Sequence, residues 1–131
     1  MGFPEIENSV VELIRGWDRM MRDSIVERDS KLAEITRRLV LAFQPERIYL
    51  FGSVARGEGK PDSDYDILVL VQETSGEPLY RLSQRAHELL WGLGVSADIL
   101  VWPAELFNRR IHLRASLPAR VLREGKLLYA R

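Results

Sequence analysis

One stretch of the sequence joins two aspartates to an unbroken apolar run, and it constrains the fold more than any other. Asp64 and Asp66 stand at its start, and the five aliphatic residues Ile67 to Val71 follow. An apolar run of this length, bounded by a polar loop over residues 57–63, predicts a buried central strand. Carboxylates in a core are costly unless they are paired or bind a metal. We therefore expect the aspartates at the end of the strand, where it faces a cleft.

Apolar periodicity predicts further strands and helices along the chain. Strands are predicted over residues 47–51, 64–71, 95–102 and 126–129. Helices are predicted over residues 5–21, over residues 25–43 up to Pro45, from Ser53, over residues 79–90, and over residues 103–122 with a break near Pro118. No linker separates the helical segment of residues 1–44 from residues 45–131, so we expect the segment to pack on the same domain.

Three carboxylates are candidates for a metal site. Side chains two apart on a strand share a face, so Asp64 and Asp66 should lie side by side, about 6 to 7 Å apart along the backbone. Asp98 interrupts the apolar run of the next predicted strand. Magnesium takes oxygen ligands from a few carboxylates and from substrate phosphate. We predict that Asp64, Asp66 and Asp98 are catalytic and bind the metal, and that Asp98 also accepts the proton of an attacking hydroxyl.

Small residues before the predicted short helix are candidates for phosphate binding. Gly52 and Ser53 would let a phosphate approach the free N–H groups of the helix start, and Ser53 adds a hydroxyl. Arg56 and Lys60 in the same connection could neutralise phosphate charge, although basic residues near two acids often serve solvation alone. We predict that Gly52, Ser53 and Arg56 bind the nucleotide, and we leave Lys60 open.

The segment from Gly52 to Asp66 carries a recognisable spacing: Gly-Ser, about ten residues, then Asp-x-Asp. This pattern resembles the signature of the polymerase-β-like nucleotidyltransferase superfamily, and the short chain is most similar to its minimal nucleotidyltransferases. The resemblance covers roughly residues 47–129. It implies an α/β (α+β) fold, a small mixed β-sheet flanked by helices, with an N-terminal helical extension. It also implies magnesium-dependent transfer of a nucleotidyl group, AMP from ATP in many members, with release of pyrophosphate.

The resemblance leaves the acceptor open. Many minimal members are antitoxins of HEPN-type toxins, and some add AMP to a tyrosine of the toxin, so a HEPN-type protein partner is the leading expectation. An antitoxin that neutralises its partner by docking without turnover is the alternative. A transferase acting on a small molecule is a third, which the short chain disfavours because larger relatives use extra domains.

Composition and charge set limits on the partners. The 131 residues carry 19 basic and 19 acidic side chains, a balance that does not favour nucleic acid, and they include no cysteine. No apolar run approaches the roughly 20 residues that a membrane span needs, so we expect a cytoplasmic protein that does not bind membranes.

Several other side chains are interpreted as structural or surface residues. His87 and His112 are expected to face solvent or a partner and not to be catalytic. Trp17, Met20 and Met21 on the first predicted helix are expected to pack in the core or to form an interface. An interface there leaves open a homo-oligomer as well as a different partner.

Overall fold

A four-stranded mixed sheet is the framework of the protein. The computed structural model describes residues 29–60 and 63–131, and the strands in this part of the chain are β1 (Arg47–Phe51), β2 (Tyr65–Val71), β3 (Ala97–Pro103) and β4 (Lys126–Ala130). Their order across the sheet is β3-β2-β1-β4. β1 pairs antiparallel with β2 and β4, whereas β2 and β3 are parallel. β2 therefore lies inside the sheet, as its apolar run predicts.

Helices cover both faces of this sheet. Those in the described ranges are α1 (Ser30–Phe43), α2 (Gly52–Ala55), α3 (Leu79–Glu88), α4 (Ala104–Arg110) and α5 (Leu117–Glu124). Side chains of α1 and α3 share one apolar cluster with the sheet, and those of α4 and α5 share a second. This arrangement confirms the α/β (α+β) prediction. None of these helices is long and apolar enough to cross a membrane.

Residue alternation along β2 assigns each side chain to one of the two layers. Ile67, Val69 and Val71 enter the cluster under α1 and α3, whereas Leu68 and Leu70 enter the cluster under α4 and α5. All five residues are at most 5% exposed. Since side chains two apart share a face, Asp66 belongs to the α4 and α5 face, and Tyr65 faces the other way.

The start of α1 is tied to the start of β2 by one carboxylate. Asp29 Oδ1 accepts hydrogen bonds from the N–H groups of Lys31 (3.1 Å) and Leu32 (3.0 Å), which caps the helix. Its Oδ2 accepts a bond of 2.6 Å from the Tyr65 hydroxyl. Burial and this bond raise the pKa of Tyr65 to about 12, so the phenol stays protonated and donates. Asp29 thus holds α1 against the strand that follows Asp64.

Several boundaries differ from the sequence-based prediction. β2 begins at Tyr65, one residue later than predicted, and β3 spans Ala97–Pro103 where residues 95–102 were predicted. The helix predicted over residues 103–122 is two helices, interrupted at residues 111–116 and not at Pro118. Pro118 lies in the first turn of α5, where its missing N–H costs nothing, and Ser116 caps that turn by accepting from Ala119 N–H. The prediction for residues 5–21, and the part of the second helix before Asp29, lie outside the described residues.

Replacing Asp29 by alanine should destabilise the protein by about 1–2 kcal/mol, because the substitution removes the helix cap and leaves the Tyr65 hydroxyl without its acceptor. Chemical denaturation in urea measures the loss. Asp29→Asn keeps the capping oxygen and should lose much less. Equal stability of the alanine variant and the wild type would contradict the anchoring role of Asp29.

Candidate active site

Two of the three predicted aspartates lie side by side on the parallel strands. Asp66 of β2 and Asp98 of β3 are register partners. On β3, Ile99 and Val101 enter the α1 and α3 layer, so Asp98 projects from the opposite face, the same face as Asp66. Adjacent strands are about 4.8 Å apart, which places two like charges close together. The Asp98 side chain is 67% exposed and is accessible to a second molecule.

The pKa of Asp66 reflects its burial and its acidic neighbours. The pKa of Asp66 is raised, first by partial burial, then by the negative charges of Asp98 and Asp64. The positive charge of Arg56 acts in the opposite direction and is the smaller effect. Ionised Asp66 is therefore at higher free energy in the folded protein than in water, and a cation at this position would relieve the cost.

Asp64 lies one residue before β2. The next residue, Tyr65, begins the strand, and its N–H donates to the carbonyl of Ser96 (3.0 Å). Within residues 29–60 and 63–131, no three His, Cys, Asp or Glu side chains come together as a group that could hold a metal ion. Magnesium is commonly held by one or two protein carboxylates, with phosphate oxygens and water completing the shell. The register pair fits that donor set, and Asp64 adds negative charge beside it.

Gly52 lies directly against Asp66. It has a φ of 76°, and a Cβ at this position would overlap with Asp66 Oδ2. Phe51, the residue before it, is the register partner of Asp66 on β1. The glycine therefore lets the backbone turn from β1 into α2 at the carboxylate, and it places Ser53 one residue further along. Gly52 of the predicted Gly52-Ser53 pair is therefore in direct contact with the carboxylate of Asp66.

Arg56 ends α2 and is held by two acids. Its Nε lies 3.2 Å from Glu58 Oε2, and its Nη1 lies 3.5 Å from Glu124 Oε2 at the end of α5. The side chain remains 37% exposed. The positive charge of Arg56 acts on Asp66 and opposes the rise in the pKa of that carboxyl. Both ion pairs of Arg56, however, are with other residues.

A cavity of about 560 Å³ lies behind the aspartates. Its lining includes Asp29, Lys31, Lys60 and Tyr65, and it includes none of Asp64, Asp66 and Asp98. Tyr65 points to the α1 face, so the cavity lies on the other side of the sheet from the carboxylate pair. Lys60 lines this cavity.

Two side chains of α3 contact β3, an interaction that the sequence pattern did not predict. His87 Nε2 accepts a hydrogen bond from Ile99 N–H (3.3 Å) and lies 3.8 Å from Asp98 Oδ1. Ser83 Oγ accepts from Val101 N–H (3.3 Å). His87 therefore faces the edge of β3 as well as solvent. The spacing of Ser83 and His87, four residues apart on one helix face, was the available signal.

A mixed sheet with acids at the start of two parallel strands and a Gly-Ser turn against one of them defines the nucleotidyltransferase class of enzymes. Residues 29–128 match the family model described as "Nucleotidyltransferase domain". The chain belongs to this family and is a nucleotidyltransferase. The match begins at Asp29, so α1 falls within it.

Known relatives agree with this assignment. The chain is 38% identical to MJ0604 of Methanocaldococcus jannaschii, a candidate protein adenylyltransferase, over 84 residues that cover 64% of this chain and 78% of the relative. It is 34% identical to a second candidate protein adenylyltransferase of that organism, MJ0141, over 49% of this chain and 62% of the relative. A solved chain of a mutant MntA–HpeT toxin–antitoxin complex has the same fold, with a TM-score of 0.51 and 24% identity over 76% of this chain and 72% of that one.

Replacing Asp66 by asparagine should stabilise the protein at neutral pH, because it removes a carboxylate whose ionised form is disfavoured by burial and by two like charges. We expect the melting temperature to rise by about 3 °C. The gain in stability should be complete above the raised pKa of Asp66 in the folded protein. It should vanish below 3.8, the pKa of this carboxyl in the unfolded chain, because the carboxyl is then protonated in both states. Melting curves from about pH 3 to about pH 8 measure the difference in stability between the variant and the wild type. A destabilised variant at neutral pH would show that Asp66 is not under repulsion.

Proposed function

We propose that the chain transfers AMP from ATP, in the presence of magnesium, to a hydroxyl group of a partner protein of the HEPN type. The observation that carries the proposal is the register pair of Asp66 and Asp98, beside the Gly52-Ser53 turn. The names of the two Methanocaldococcus relatives support AMP as the group and a protein as the acceptor. The HEPN type rests on the resemblance to minimal nucleotidyltransferases.

The carboxylates supply the metal ligands in this proposal. Asp64 and Asp66 would hold magnesium, and Asp98 would contribute an oxygen from the neighbouring strand. Bound magnesium would neutralise phosphate charge and lower the pKa of the attacking hydroxyl. The site is suited to this because partial burial, together with the negative charges of Asp98 and Asp64, already disfavours the ionised state of Asp66.

The remaining groups act on the nucleotide and on the acceptor. The Ser53 hydroxyl donates to a phosphate oxygen, and Arg56 pairs with phosphate by exchanging an ion pair with Glu58 or Glu124. Asp98, which is well exposed, takes the proton of the acceptor hydroxyl. The hydroxyl oxygen forms a bond to the α-phosphorus, the bond from that phosphorus to the β-phosphate oxygen breaks, and pyrophosphate leaves.

A protein acceptor is also consistent with the surface near Asp98. Trp91, just beyond the end of α3, is 75% exposed. Exposed aromatic side chains are enriched where proteins bind one another. Because His87, four residues before Trp91, contacts β3 next to Asp98, a partner that covers Trp91 would lie toward the carboxylate.

Titration calorimetry of ATP with magnesium tests the nucleotide site. We expect the wild type to bind, and we expect Asp64→Asn and Asp66→Asn each to weaken binding about 10-fold or more, because each removes a metal ligand. Glu73→Gln is the matched control: it removes one carboxylate just after the opposite end of β2, and it should bind like the wild type.

Label transfer tests the reaction. ATP labelled at the α-phosphate should mark a protein when the wild type is incubated with a candidate HEPN-type partner, and ATP labelled at the γ-phosphate should not. Asp66→Asn should abolish the label. If the wild type binds no ATP and transfers no label, the proposal is wrong, and docking without turnover becomes the function to examine.

A further inference from the structure

Among the strands of the described residues, β3 lies at the edge of the sheet, and two of its outer N–H groups are bonded by side chains from α3. Backbone groups alternate in direction along a strand, so Ile99 and Val101 direct their N–H groups away from β2. His87 Nε2 accepts from Ile99 N–H and Ser83 Oγ accepts from Val101 N–H, both at 3.3 Å. The two bonds satisfy edge donors that would otherwise bind water or another strand.

The hydrogen bonds of His87 define the tautomer of its ring. Nδ1 lies 2.7 Å from the carbonyl oxygen of Ser83, which can only accept, so Nδ1 carries the proton. Nε2 then offers a lone pair, as the bond from Ile99 N–H requires. The distance of 3.8 Å between Nε2 and Asp98 Oδ1 is too long for a hydrogen bond. The neutral ring therefore leaves the Asp98 carboxylate free to bind a cation or to accept a proton.

The bond to Ile99 acts on Asp98 through the backbone. The N–H of Ile99 belongs to the peptide group that joins it to Asp98, so fixing this group fixes the ψ angle of Asp98. On its inner side, Asp98 is paired with Asp66. We propose that His87 is a positioning residue: its neutral Nε2 holds the Asp98–Ile99 peptide group, so that the Asp98 carboxylate keeps its position beside Asp66.

This inference rests on the proposed function, because it assigns His87 a part in a reaction that uses Asp98. Reacting groups lose much of their effect when they are displaced by about 1 Å. The exposed Asp98 side chain has no hydrogen bond of its own in the described part of the structure, so its placement depends on its backbone.

His87→Leu should lower kcat for AMP transfer about 10-fold and leave KM for ATP within about twofold, because Asp98 acts on the acceptor hydroxyl more than on ATP binding. His87→Gln can place a carbonyl oxygen near the position of Nε2, and it should restore kcat to within about threefold of wild type. Steady-state kinetics with labelled ATP measure both variants. Hydrogen exchange of the Ile99 amide should speed up in the leucine variant and not in the glutamine variant.

Ser83→Ala is the matched control, since it removes the equivalent bond two residues further along the same edge. It should speed up exchange at Val101 and leave kcat unchanged. A His87→Leu variant with wild-type kcat, or equal losses of kcat in the leucine and alanine variants, would overturn the positioning role while wild-type transfer is intact. Absence of transfer by the wild type would overturn the proposed function and the positioning role together.

Discussion

The partial burial of Asp66 beside another carboxylate, Asp98, is the constraint on which the site depends. The two carboxylates are register partners on parallel strands and project from one face of the sheet, and the charge of Asp64 adds to theirs. The packing of the sheet imposes this proximity, because the same strands fill both apolar layers. The fold thus places Asp66 beside Asp98, within the influence of the charges of Asp64 and Arg56.

The surrounding structure keeps this arrangement in place from several sides. Gly52 provides space for the Asp66 carboxylate, since any side chain there would overlap it. Asp29 fixes the start of β2 through the Tyr65 hydroxyl, on the face away from the acids. His87 contacts the β3 edge next to Asp98. Each contact involves a different element, so the position of the aspartates reflects the packing of the whole sheet.

Much of the framework could be predicted from the sequence because it depends on local pattern. The unbroken apolar run Ile67 to Val71 gave a buried strand, and the Gly-Ser turn with Asp-x-Asp gave the family. Long-range geometry could not be read in this way. Neither the parallel register that pairs Asp66 with Asp98 nor the bond between Asp29 and Tyr65, 36 residues apart, leaves a periodic signal. The break at residues 111–116 was misplaced to Pro118, because proline both ends helices and begins them.

Thermal melting with ATP, in the presence and absence of magnesium, tests the central claim most directly. If the carboxylate site around Asp66 is the cation site, magnesium should add a stabilisation to the wild type beyond that of ATP alone, and Asp66→Asn should lose most of this magnesium-dependent part. An equal magnesium-dependent rise in melting temperature in the wild type and the variant would show that the cation binds elsewhere, and it would contradict the account.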